Sequence, residues 1–227
     1  MTTPGEHLQA YLASRQRVLT THTEVLVALS DHPVLFTAPH GKLHVRDGAR
    51  KRGDDNTTVL ALEAARASGA RSVVLAAPAG EDGNWDPDSR FRGMVLGLLR
   101  MQPGVLIDVH GMRDVHGPDV IAGTAGGATP AWLVEVVEAA AERHGIALEV
   151  RHEGPLSAGG RTLTAHVMRE LGQPAVQLEF ATRVRSPRTN PGRFSEMVEF
   201  LAAVATGAAG PRSAAGAATT ADGPTFP

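Results

Sequence analysis

The chain contains no cysteine. That excludes disulfides, thiolate zinc sites, iron–sulfur clusters and a cysteine nucleophile, and it leaves any metal to His, Asp and Glu. Neither sign of charge prevails: 22 Lys and Arg stand against 24 Asp and Glu, for a net charge of −2. The balance argues against a general nucleic-acid or membrane-surface binder. No stretch approaches the roughly 18–20 apolar residues of a membrane span. Residues 1–20 carry Glu6, Arg15 and Arg17 and lack the apolar segment of a signal peptide, so a cytoplasmic address is expected. There is no G-x-S-x-G elbow. Residues 123–127 (GTAGG) lack both the dinucleotide fingerprint and the Walker lysine, and read as a flexible loop.

What is present is an ordinary globular composition over 227 residues, 42% hydrophobic and 20% charged, with ten histidines. A single domain is expected over residues 1–206, opening with an N-terminal extension that includes a loosely periodic helix near residues 6–19. Residues 207–227 are almost all Ala, Gly, Pro, Thr and Ser and read as a disordered tail.

Between these ends short apolar runs alternate with helical patterns. Strands are expected at 33–38, 72–77, 105–109, 119–122, 146–150 and 175–180. Helices are expected at 57–67, stopped by Gly69, and around Phe91–Leu99 before Gly104. Further helices are expected after Thr129 as N-cap with Pro130 in the first turn, at 162–171 ended by Gly172, and from Asn190-Pro191 onward. The alternation indicates an α/β fold on one mostly parallel, mixed sheet flanked by helices, of the phosphorylase/hydrolase-like kind. In such sheets the site lies beyond the C-terminal ends of the strands.

Three strands end in groups that a buried strand should not carry. The first runs into His40. The second puts Asp108 and His110 on one face by the two-residue period, and the third does the same with Gln177 and Glu179. Buried parallel strands normally read as continuous apolar runs, and an unpaired buried charge is costly. Histidines and carboxylates gathered at one sheet edge suit zinc, with a position left for water. Competing structural readings exist: Asp54 and Asp55 are N-cap candidates for the helix at Thr57, and Glu179 is a candidate ion-pair partner of Arg161 or Arg183. Gly159-Gly160-Arg161 resembles a glycine turn before a helix, where free backbone N–H groups and an Arg hold an anion; an ordinary turn with a solvated Arg is the alternative. Arg113 sits in a loop expected to line the pocket.

The segments APHG (38–41), GDDNTTVLALEAARASGA (53–70), DPDSRFRG (86–93), GVLIDVHGM (104–112), GGRTLTAHVMRELGQPAVQLEF (159–180) and NPGRF (190–194) together resemble the N-formylglutamate amidohydrolase family. That family is related in fold to zinc carboxypeptidases and aspartoacylases. The resemblance implies one zinc per chain, bound by His40, by His110 and by an acidic residue before the Thr-containing helix, either Asp54 or Asp55. Glu179 matches the acidic residue that activates water in this group. The compact His-x-x-Glu pair of the carboxypeptidases is absent, Leu43 standing where Glu would be, and the only tyrosine, Tyr11, lies outside the matched region.

The expected activity is zinc-dependent hydrolysis of an amide C–N bond in an N-acyl amino acid, the N-formyl kind included, or a related small carboxylate. Glu179 is expected as the base, with Arg161 or Arg113 holding a substrate carboxylate or the oxyanion. The expected partner is a small molecule or short peptide, with no nucleic acid and no membrane. The alternatives are a carboxypeptidase-like peptidase or deacylase on the same metal, and an inactive metal- and ligand-binding module.

Overall fold

The computed structural model describes residues 24–210 and Gln9. The expected N-terminal helix and most of the expected tail lie outside these residues. The described chain runs β1 (Val25–Ala28), β2 (Val34–Ala38), β3 (His44–Arg46), β4 (Ala49–Lys51), α1 (Thr57–Ser68), β5 (Arg71–Leu75), α2 (Arg90–Met101), β6 (Val105–Met112), a 3-10 turn (Asp114–His116), β7 (Val120–Gly123), α3 (Ala131–Arg143), β8 (Leu148–Arg151), α4 (Leu163–Leu171), β9 (Ala175–Ala181) and α5 (Pro191–Ala208). Gly207 and Ala208 therefore close α5 and do not open a tail.

Seven strands form the main sheet in the order β1-β5-β2-β6-β9-β7-β8. The central pairs β5–β2, β2–β6 and β6–β9 are parallel, while β1 and the β7–β8 pair run antiparallel to them. The mixed, mostly parallel sheet is the expected one. Helices α1, α3 and α5 pack on one another and on one face, whose apolar layer includes Phe36, Leu60, Ile107, Val137, Leu178 and Phe200. Helices α2 and α4 cover the other face through Phe91, Val95, Leu99, Leu163 and Val167, over Leu35 and Leu106. Among the described residues no helix is long and apolar enough to cross a membrane.

The second face changes character along its length. Period-two alternation carries Leu35 to Thr37, Leu106 to Asp108 and His110, and Ala175 to Gln177 and Glu179. Apolar residues thus fill the N-terminal half of three adjacent strands, and buried polar residues occupy the C-terminal half. At the opposite, N-terminal edge the fully buried Arg71 donates to the carbonyls of Gln102 (2.9 Å) and Pro33 (3.0 Å), tying together the chain ahead of β2 and the end of α2.

Several local expectations give way to tertiary bonds. Thr129 does not cap α3; its hydroxyl donates to Ala175 O at 2.7 Å, and Pro130 takes the N-cap position. Neither Asp54 nor Asp55 caps α1 with its side chain, because Asn56, at φ 70°, is the residue at that position. Asn190 caps α5 by accepting from Arg193 N, as expected. The β3–β4 hairpin turns through Asp47-Gly48, both at positive φ, the I′ pattern that Asp-Gly favours.

Candidate metal centre

His40 follows the end of β2 on the loop that enters the hairpin. A Cβ on Gly41 would fall 1.7 Å from Thr58 Oγ1, and one on Gly53 would fall 2.5 Å from the Lys42 carbonyl carbon. Only glycine allows these two stretches to press against each other and against α1. Asp54 N then donates to His40 O at 2.6 Å, which carries the Asp54 side chain to the His40 ring. Asp55, the next residue, points away and pairs with Arg52 at 2.7 Å in the open. Of the two aspartates, Asp54 is the one brought together with the histidines.

The Asp54 carboxylate is the meeting point of two imidazoles. Its Oδ2 lies 3.7 Å from His40 Nδ1 and 3.8 Å from His110 Nδ1, and it accepts from Gly111 N at 3.0 Å. Both rings are held from behind by buried carboxylates: His40 Nε2 donates to Asp82 Oδ1 (2.8 Å) and His110 Nε2 to Asp108 Oδ2 (3.1 Å). A carboxylate can only accept, so the Nε2 proton of each ring is directed at its carboxylate, and Nδ1 is the nitrogen turned toward Asp54, free to ligate a metal once it carries no proton. The rings stand edge to face, centroids 4.7 Å apart.

These residues fit a metal. In a tetrahedral zinc site with bonds of about 2.0–2.1 Å, ligand atoms sit roughly 3.3–3.4 Å apart. The two His–Asp54 separations of 3.7 and 3.8 Å describe a slightly open version of that triangle. Histidine ligands whose second nitrogen is fixed by a carboxylate are the usual supporting arrangement. A second grouping, His40, His44 and Asp82, also brings potential ligand atoms together. It uses the supporting side of His40, and Arg46 already places a cation there, Nε donating to Asp82 Oδ2 at 2.5 Å. His44 stacks on His40 at 4.2 Å as a prop.

Electrostatics around the cluster favour bound positive charge. Burial pulls the His110 pKa down, but Asp108, Glu179 and Asp54 overcome it and raise it to about 9. Burial alone would raise Asp82; bonding to His40 and Arg46 outweighs this and holds it well below the ordinary carboxylate range. Burial also pushes Asp108 up, and His110, Thr37 and His40 bring it down on balance. Glu179 behaves differently. Burial lifts it to about 7; Asp54 and Asp108 add to the lift, while His110 and a 2.8 Å hydrogen bond from Gln177 Nε2 oppose it. It makes no ion pair with Arg161 or Arg183. Arg183 instead pairs with Asp119 and Asp114, beside the 3-10 turn.

The cluster opens on a cavity of about 390 Å³, lined by His40, Asp54, His110 and Glu179 and walled by Gly154, Leu156, Ser157, Ala158, Gly159 and Thr162. In that wall Leu156 and Ala158 both hold positive φ (67° and 63°), conformations that cost side-chain-bearing residues energy. The backbone N–H groups of Ala158, Gly159 and Gly160 donate no hydrogen bond among the described residues. The glycine turn is where sequence reading put it, but the arginines are not. Arg161 is exposed and rests over Trp85 (5.3 Å to the ring centroid), and Arg113 is exposed ahead of the 3-10 turn; neither lines the cavity. The arginine that does line it is Arg46, while buried Arg92 braces the wall through the carbonyls of Asn84 and Arg161. Buried Arg185 links Phe180 O (3.1 Å) to Asp55 O and so steadies the loop that carries Asp54.

Comparisons with known proteins bear on the fold that carries these residues. Residues 91–184 match the N-formylglutamate amidohydrolase family model. Curated protein sequences give no match. Among solved structures, the N-formylglutamate amidohydrolase of Ralstonia eutropha JMP134 is similar in fold at a TM-score of 0.56 and 14% identity, over 80% of this chain and 95% of that one. A bacteriophage poly-gamma-glutamate hydrolase reaches 0.55 at 15% identity, over 86% and 93%. A putative carboxypeptidase of Burkholderia mallei reaches 0.50 at 12% identity, over 89% and 67%. The chain is thus similar to the N-formylglutamate amidohydrolases over residues 91–184, and similar in fold to a solved enzyme of that name over most of its described length.

Proposed function

We propose that the protein is a zinc-dependent amidohydrolase acting on a small N-acyl amino acid or a related carboxylate-bearing amide. The observation that carries this reading is the pair of His40 and His110 Nδ1 atoms facing one Asp54 oxygen, with the buried Glu179 carboxylate beside His110. His40, His110 and Asp54 would hold the metal, which when bound supplies a Lewis acid for the scissile carbonyl and lowers the pKa of adjacent water toward roughly 7.

The chain's own groups do the rest. Glu179, held near pH 7 in its uptake of a proton, takes one from the attacking water and returns it to the leaving nitrogen. Gln177 fixes its orientation by donating to Oε1. Ala158 and Gly159, whose N–H groups donate no hydrogen bond among the described residues, line the same cavity and offer an anion site for the substrate carboxylate or the developing oxyanion, in place of an arginine.

The test is metal analysis of the purified protein followed by a screen of N-formyl and N-acetyl amino acids and dipeptides, each with and without chelator. Chelator-sensitive turnover of the N-acyl amino acids is the expected result. Preference for dipeptides would make it a peptidase, and metal without any turnover would make it a binding module.

A further inference from the structure

On the far side of the Asp54 loop lies a second and larger cavity, of about 690 Å³. The two share a wall. His40 and Asp54 face the metal centre, while their neighbours Gly41, Lys42, Gly53 and Asp55 line the second cavity. Its charge is lopsided: Lys42, Arg50, Lys51, Arg52 and Arg188 line it against the single carboxylate Asp55. Arg52 already engages Asp55. Among the described residues, the side chains of Lys42, Arg50, Lys51 and Arg188 have no ion pair and donate no hydrogen bond. A chain with a net charge of −2 thus sets four unpaired cations around one hollow, where they repel one another until an anion enters.

We infer that this basin binds an acidic peptide, a chain of amide-linked residues bearing several carboxylates. One carboxylate or phosphate would leave most of the volume and most of the cations unused. No aromatic side chain lines the basin, so a nucleic acid would find no platform on which to stack its bases. A peptide supplies both features the molecule asks for, repeated negative charge for the basin and an amide bond for the adjoining centre. The substrate is then the end of an acidic chain whose remaining residues rest in the basin. That consequence rests on the amidohydrolase reading; the binding itself does not.

The experiment is fluorescence anisotropy of fluorescein-labelled hexaglutamate with the full chain, kept metal-free with chelator, at low and physiological salt. Saturable binding is expected, weakening with salt and losing about tenfold or more in affinity in the double variant Arg50→Glu/Lys51→Glu and in Arg188→Glu. Both variants should retain the melting temperature and metal uptake of the parent, since these side chains are exposed and unpartnered. Absence of binding would overturn the inference, as would affinity unchanged by the charge reversals. Equal competition by an oligothymidylate of the same charge would overturn it too, by giving the basin to nucleic acid. Peptide binding without hydrolysis of any amide by the metal-loaded protein would leave the basin standing and sink the amidohydrolase reading; hydrolysis of small amides without peptide binding would do the reverse.

Discussion

His110 and Glu179 face each other directly across the parallel β6–β9 ladder. Neighbouring strands lie about 4.8 Å apart, so the candidate ligand and the candidate base are set one strand spacing apart by backbone hydrogen bonds and not by side-chain reach. Glu179 can therefore be altered without moving His110.

Replacing Glu179 by Gln keeps the shape and the bond from Gln177 while removing the base. The variant should fold, bind metal as the parent does and lose turnover by about 10²–10⁴-fold. Metal analysis beside steady-state rates decides the matter. Loss of metal would make Glu179 a ligand, and retained activity would move the base elsewhere.

About one zinc per chain is expected in the purified protein, and His40→Ala, His110→Ala and Asp54→Ala should each lose most of it. Asp55→Ala should keep it, because that side chain is paired with Arg52 in the open. Metal-to-protein ratios after dialysis read this directly. Full occupancy in the two histidine variants would remove the site.

Asp82 holds the His40 ring from behind, while also meeting Arg46, His44 and the N–H groups of Asn84 and Trp85. Asp82→Asn leaves the ligands in place but loosens the ring, so metal affinity should fall by about 10–100-fold. Competition against a chromophoric chelator measures it. An unchanged affinity would reduce Asp82 to a partner of Arg46.

Asp119 gives a pH dependence remote from the metal. Burial raises its pKa, but the bond from Ala147 N and the contacts with Arg193 and Arg183 outweigh this and depress it in the folded state. The unfolded chain then binds the proton first. The stabilisation is complete above the ordinary aspartate value of about 3.9 and is lost as pH falls through the folded value. Asp119→Asn should cost about 1.5–3 kcal/mol at pH 7 and flatten the acid limb of the urea midpoint against pH. A variant with the parent's acid limb would show that the pairing adds nothing.

Much of the architecture was legible because its signals are local. Among the described residues, period-two and helical patterns located six of the nine strands and all five α-helices, and the strand-end rule singled out His40, His110 and Glu179. The Asp47-Gly48 hairpin was equally legible from its dipeptide and went unread. The choice between Asp54 and Asp55 was not legible, since it depends on Gly53 and Lys42 meeting across the hairpin. Asp82 lies in the loop after β5, seven residues beyond the strand, and reads as one acid among several there until His40 and Arg46 are seen to converge on it. Arg161 and Arg113 failed for a related reason: position in the chain locates the backbone of an arginine but not the end of its long side chain.

The guanidinium of Arg71, bound to carbonyls at the edge farthest from the metal centre, divides the sheet into a foundation and a workbench. A defect at Arg71 shortens the life of the fold and leaves the chemistry of each surviving molecule intact. A defect at Asp54 or Glu179 does the opposite, because the chemical groups at the C-terminal edge carry little of the apolar packing. The substrate range of such a chain can therefore be rewritten at one edge of the sheet while its durability is kept at the other.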